Sequence, residues 1–129
     1  METTATRPTV MVVDDSEDIR ELVRVQLTIL GYRVLEAANG REAIEAVSRE
    51  CPALILMDIT MPILDGLEAT RLIRGMTDIC GIVIIAFTAL HSSPGRAQAL
   101  AAGCNDFIQK PVNVGQLSSL LNRHLQRGA

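Results

Sequence analysis

The chain has 129 residues, of which 48% are hydrophobic, and a formal net charge of -3, which suits one domain with a substantial core. Its basic residues are scattered and its aromatics are Tyr32, Phe87 and Phe107, so neither a basic nucleic-acid stripe nor a base-stacking surface is expected. The opening METTATRPT has no apolar h-region and the apolar runs are too short for a bilayer, so neither a secretory signal nor a membrane-spanning helix is expected.

Residues 1–8 are polar and are expected to form a disordered tail before a single domain over residues 9–127. Thr9–Val13 predicts a first strand, and the acidic residues after it lead into a helix from about Ser16 to Leu30. In that helix Ile19, Leu22, Val23, Leu27 and Leu30 repeat at helical spacing, and Gly31 stops it. Arg33–Ala37 alternates polar and apolar residues and reads as a sheet edge. Asn39 caps a second helix with Ala43, Ile44 and Val47 inward. Ala53–Met57 is apolar throughout and predicts a central third strand, and the loop DITMPILDG follows it. A third helix carries Leu67, Ala69, Leu72 and Ile73 on one side. Ile82–Phe87 predicts a fourth central strand. Ser93 and Pro94 read as the cap and first residue of an alanine-rich fourth helix stopped by Gly103. Asp106–Gln109 predicts a short fifth strand, and Asn113 caps a last helix with Leu117, Leu120, Leu121 and Leu125 inward. Strands alternating with helices in this way predict a doubly wound α/β domain, with a parallel sheet between two layers of helices.

The candidate site lies where the apolar strands end. In an open parallel sheet the ligand crevice lies at the carboxyl ends of the strands. Asp14 and Asp15 follow the first strand, Asp58 the third, Thr88 the fourth, and Lys110, joined to Pro111, the fifth. Acidic residues often open helices, where the macrodipole favours them, but an adjacent pair after a fully apolar strand exceeds what capping needs. Carboxylates gathered at close range call for a hard divalent cation, and all-oxygen ligation suits Mg²⁺. Asp58, held beside such a cation, is the natural nucleophile toward a phosphoryl donor. Thr88 can donate a hydrogen bond to one phosphoryl oxygen and Lys110 can pair with another. His91 and His124 have no partners at catalytic spacing, and the scattered Cys51, Cys80 and Cys104 read as free thiols of a reducing cytoplasm.

VMVVDD, LILMDITMPILDG, IIAFTA and DFIQKP, in this order and spacing, resemble the receiver domain of bacterial two-component response regulators, the CheY-like family. The resemblance runs from about Thr9 to Leu125. It implies a flavodoxin-like (βα)5 fold with strand order 2-1-3-4-5. It further implies that Asp58 is the phosphoacceptor, and that Mg²⁺ is held by Asp14, Asp15, Asp58 and the Thr60 backbone carbonyl. Thr88 then matches the switch hydroxyl, Ala89 the backbone N–H toward the phosphoryl group, Lys110 the phosphoryl-pairing lysine, and Phe107 the switch aromatic, without the hydroxyl of a tyrosine. The Lys110–Pro111 bond is expected to be cis. Thr60 and Leu90 match the positions that flank the acyl phosphate, and neither supplies a base for the hydrolytic water.

The function implied is a cytoplasmic phosphorylation switch, monomeric or weakly dimeric. It takes its phosphoryl group from a histidine kinase or a histidine phosphotransfer protein and signals to a downstream protein through an α4–β5–α5 face, without binding nucleic acid or membrane. It acts on no external substrate. The same sequence would also serve as a receiver segment of a hybrid kinase or larger regulator. A Mg²⁺-dependent phosphatase with an aspartate nucleophile is a remote alternative, since it needs a second aspartate where this chain has Thr60. A flavodoxin-like cofactor site is disfavoured because the first loop, DDSED, repels phosphate unless a metal intervenes.

Overall fold

The computed structural model describes residues 8–59, 65–76, 81–88, 96–110 and 112–125. The expected N-terminal tail therefore lies almost wholly outside the described residues. Strands and helices alternate: β1 Thr9–Val13, α1 Glu17–Ile29, β2 Arg33–Ala37, α2 Gly40–Arg49, β3 Leu54–Asp58, α3 Gly66–Met76, β4 Val83–Thr88, α4 Arg96–Ala102, β5 Asp106–Gln109 and α5 Val114–Leu125. All pairings are parallel, in the order β2-β1-β3-β4-β5, so the expected order holds and β2 is an edge.

Each central strand is buried on both faces, which explains its unbroken apolar run. Val10 and Val12, Leu54 and Leu56, and Ile85 and Phe87 face one helical layer, where Val23 and Leu27 of α1 and Leu117, Leu120 and Leu121 of α5 pack on them. Met11 and Val13, Ile55 and Met57, and Ile84 and Ala86 face the other layer, with Ala43 and Val47 of α2, Ala69 and Ile73 of α3, and Ala99 of α4. Side chains alternate along a strand, so each strand feeds both cores.

The helix starts follow capping chemistry. Ser16 accepts from the Ile19 N–H at 3.3 Å. Asn39 accepts from the Glu42 N–H at 2.9 Å, while Glu42 accepts from the Ala38 N–H at 2.8 Å. Asn113 and Gln116 form a reciprocal box, at 2.8 and 3.1 Å. The Ser93–Pro94 start of the fourth helix lies outside the described residues. Gly31 and Gly103 end their helices at φ 97 and 114, left-handed conformations that glycine adopts without a Cβ penalty.

Three expectations need correction. Leu22 and Leu72 are 49% and 45% exposed rather than inward. Both lie on the flank of an apolar stripe, where spacing does not separate core from rim. The third and fourth strands run one residue further than their apolar runs, through Asp58 and Thr88, because pairing continues through Asp58 opposite Phe87 and Thr88 opposite Gln109. Cys104 is a buried free thiol, but Cys51 is disulfide-bonded; Cys80 lies outside the described residues. Spacing along the chain is no guide to approach in space. The segments entering β3 and β4 run side by side, with the Val83 N–H donating to the Ala53 carbonyl at 3.1 Å.

Candidate metal and phosphoryl site

Register gathers the site. Val13 pairs with Met57, so Asp14 and Asp58 are the next residues on adjacent strands. Thr88 follows Phe87, the partner of Asp58, and Lys110 follows Gln109, the partner of Thr88. The carboxylates of Asp14, Asp15 and Asp58 offer oxygens that lie within 4.8 Å of one another. Asp14 and Asp58 are buried, at 0% and 2% exposure, whereas Asp15 is exposed.

Lys110 reaches across the strand ends. Its Nζ is 2.6 Å from Asp14 Oδ2 and 3.4 Å from Asp58 Oδ2, and it lies 5.2 Å from the centre of the Phe87 ring, within range of a cation–π contact. Burial alone would lower the pKa of this ammonium, but Asp14 and Asp58 outweigh burial and raise it above the ordinary lysine value. The Lys110 N–H donates to the Thr88 carbonyl at 2.6 Å, which fixes the backbone from which the side chain extends. Thr88 itself is 1% exposed.

Asp14 is held at several points. Its N–H donates to the Ala37 carbonyl at 3.1 Å, its Oδ1 accepts from the Ser16 N–H at 2.9 Å, and its carbonyl accepts from Arg20 Nη1 at 2.8 Å. Its Oδ2 is buried and makes no aligned hydrogen bond among the described residues, meeting only the ionic approach of Lys110. The Lys110 ammonium at that distance offsets the buried charge. Oxygen-only donors of high negative charge, open to solvent at Asp15, fit a hard divalent cation.

Of the expected site residues, Asp14, Asp15, Asp58 and Lys110 are brought together, and Thr88 is placed on the neighbouring strand end. Thr60, Ala89, Leu90, His91 and Pro111, and with it the Lys110–Pro111 bond, lie outside the described residues. Phe107 is half-buried on β5. With Ile108, Gln116, Ser119, Leu120 and Arg123 it lines a cleft of about 300 Å³ against α5. His124 does have a partner: its Nε2 is 2.8 Å from Asp106 Oδ2, which Arg123 Nη1 also approaches at 3.0 Å.

Gly66, the first residue of α3, sits against the end of β3, where an added Cβ would meet the Asp58 carbonyl and come within 2.6 Å of Ile59 Cα. Sequence reasoning missed Arg20. A signal existed, because a cation in the first turn of a helix opposes the macrodipole and needs a local reason to be there.

The family model for the response regulator receiver domain matches residues 10–122. A probable transcriptional regulator, ycf27, of Pyropia yezoensis is 36% identical over 118 residues, covering 92% of this chain and 47% of that protein. The chain thus spans about half the length of the curated relatives it matches. The receiver domain of a sensor histidine kinase from Pseudomonas aeruginosa, solved with a magnesium ion coordinated in its active-site cleft, is 34% identical with a TM-score of 0.84, covering 94% of this chain and 99% of that one. The receiver domain of a Saccharomyces cerevisiae response regulator, crystallised with the histidine phosphotransfer protein upstream of it, is 30% identical with a TM-score of 0.81, covering 92% and 88%.

Proposed function

Because this chain belongs to the family of response regulator receiver domains, we propose that Asp58 accepts a phosphoryl group from a phosphohistidine donor with Mg²⁺ bound beside it. The observation that carries this reading is the convergence of Asp14, Asp15 and Asp58 with the Lys110 ammonium at the strand ends. Asp14, Asp15 and Asp58, with the carbonyl of Thr60, would hold the cation. When bound, it offsets the negative charge of carboxylate and phosphate and so permits their approach.

The residues of the chain do the rest. Asp58 forms a bond to phosphorus as the bond from phosphorus to the donor nitrogen breaks. Lys110, already charged and aimed at Asp58, pairs with one phosphoryl oxygen; the Thr88 hydroxyl and the Ala89 N–H take others. The domain catalyses the gain and loss of its own phosphoryl group and turns over no other substrate. Asp15→Asn is expected to abolish both Mg²⁺ binding and phosphorylation by acetyl phosphate. A variant phosphorylated like the wild type would overturn the metal assignment.

The signal leaves through α4, β5 and α5, with Phe107 as the switch aromatic. The cleft between β5 and α5 is rimmed by amide, hydroxyl and guanidinium groups, and α5 exposes Gln116, Ser119, Asn122 and Arg123. That mostly uncharged surface suits a protein partner better than a phosphate backbone. Accordingly the isolated chain is read as a monomer or weak dimer, without affinity for nucleic acid or membrane. Among the described residues no helix is long and apolar enough to cross a membrane. The donor is a histidine kinase or a histidine phosphotransfer protein, a reading supported by the complex formed by the yeast relative. A second reading, a receiver segment of a hybrid kinase or larger regulator, is favoured by the likeness to the receiver of a sensor kinase.

A further inference from the structure

Arg20 stands in the first turn of α1, where the helix dipole disfavours a cation. Its side chain is nevertheless only 16% exposed. Among the described residues its contacts run in two directions. Nη1 donates to the backbone carbonyl of Asp14 at 2.8 Å, and Nε donates to Glu36 Oε1 on the edge strand at 3.2 Å. Glu36 is in turn approached by Arg24 Nε, one helical turn on, at 3.4 Å from its other oxygen. Two arginines of α1 thus grip one carboxylate of β2, and the first also holds the backbone carbonyl of the acid pair.

The peptide held by Arg20 is the one that joins Asp14 to Asp15. Fixing its carbonyl fixes the plane from which Asp15 departs. Asp14 has further restraints through its N–H and its Oδ1. Asp15 is exposed, and among the described residues no hydrogen bond or ion pair of its side chain is recorded, so its aim depends on the backbone it hangs from. A guanidinium serves here better than an ammonium, because its donors are set in a rigid fork that can hold a carbonyl and a carboxylate at once.

We propose that Arg20 is a positioning residue for the cation site, one that aims Asp15 by holding the carbonyl of the Asp14–Asp15 peptide. This rests on the reading of Asp14 and Asp15 as cation ligands. Loss of a group that orients a metal ligand typically weakens metal affinity by about 10–100-fold. The contribution lies in preorganisation, so saturating cation should recover it.

The test is a Mg²⁺ titration followed by amide NMR shifts of the β1–α1 turn, on the whole chain. Arg20→Met keeps the apolar stem and removes both donors, and it is expected to weaken binding by about tenfold or more. Glu36→Gln breaks the surface ion pairs but leaves the Asp14 contact, so it should bind close to the wild type. Arg20→Lys, lacking the fork, should fall between them. Phosphorylation by acetyl phosphate supplies a second readout that general damage to the fold would not reproduce: in Arg20→Met the half-saturating Mg²⁺ rises while the rate at saturating Mg²⁺ returns to the wild-type value. Wild-type affinity in Arg20→Met, or an equal loss in Glu36→Gln, overturns the role of Arg20 and leaves the cation site standing. Should Arg20→Met not fold, a larger loss in Arg20→Lys than in Glu36→Gln carries the inference, and equal affinities overturn it. A wild type whose β1–α1 turn does not respond to Mg²⁺ overturns the cation site and this role together.

Discussion

Lys110 is the residue on which the cation-free site depends. Asp14 and Asp58 are almost wholly buried, and Lys110 is the positive charge placed against both. Removing one partner of a buried ion pair leaves uncompensated charge and typically costs on the order of 3–5 kcal/mol. Lys110→Ala is therefore expected to lose several kcal/mol of stability without Mg²⁺, toward the lower part of that range because the lysine is itself partly solvated. Added Mg²⁺ should then stabilise the variant more than the wild type, since a ligand that binds only the folded state stabilises it in proportion to its affinity. Thermal unfolding with and without Mg²⁺ checks this. Equal Mg²⁺ effects in the two proteins would mean that the lysine and the cation do not share those carboxylates. Gly66 makes a second prediction at this scale. A methyl group there meets the backbone of Asp58 and Ile59, not a flexible side-chain end. Gly66→Ala should destabilise the fold by on the order of 1–3 kcal/mol through overpacking, with the Asp58 end of β3 displaced. Denaturant unfolding unchanged from wild type would contradict the close packing of α3 on the end of β3.

At the scale of elements, the seams between β5, α5 and α1 are closed by polar groups. Asp106, at the start of β5, receives Arg123 and His124 of α5 as well as the N–H of Phe107. Burial alone would raise its pKa, but the contacts from His124, Phe107 and Arg123 outweigh burial and hold it below the ordinary value of 3.8. A carboxyl with a depressed folded pKa stabilises the fold fully above its unfolded value, and that stability is lost as the pH falls through the folded value. The stability gap between wild type and Asp106→Asn should thus be fully open above pH 3.8 and close as the pH falls below it. A gap that widens in acid would reverse the assignment. On the other side of α5, the Gln26 amide donates from α1 to the Val112 carbonyl at 3.2 Å, two residues past Lys110. Gln26 Oε1 is buried with no hydrogen bond among the described residues, a cost of roughly 1–3 kcal/mol if no water reaches it.

The architecture of the whole molecule was legible because its central strands are buried on both faces and written as unbroken apolar runs; β1 falls where its run predicts, and the short edge strand β5 keeps its expected span as well. The positions of Asp14, Asp15, Asp58 and Lys110 were legible for the same reason, since parallel register brings successive strand ends to one edge of the sheet. Less legible was whatever depends on approach between distant segments. Nothing in the local sequence pairs Asp106 with His124, joins Arg20 to Glu36, or brings Cys51 into a disulfide. Exposure on the flank of a helix was likewise hidden, as Leu22 and Leu72 demonstrate. The proposed function turns on a single chemical event, transfer of a phosphoryl group to one carboxylate, and peptide mapping reads that event directly. After incubation with acetyl phosphate and Mg²⁺, the wild-type chain should carry one hydroxylamine-sensitive phosphoryl group on the peptide containing Asp58, and Asp58→Asn should carry none. A stable adduct on any other residue, or an Asp58→Asn chain modified as fully as the wild type, would contradict the assignment of Asp58 as the acceptor.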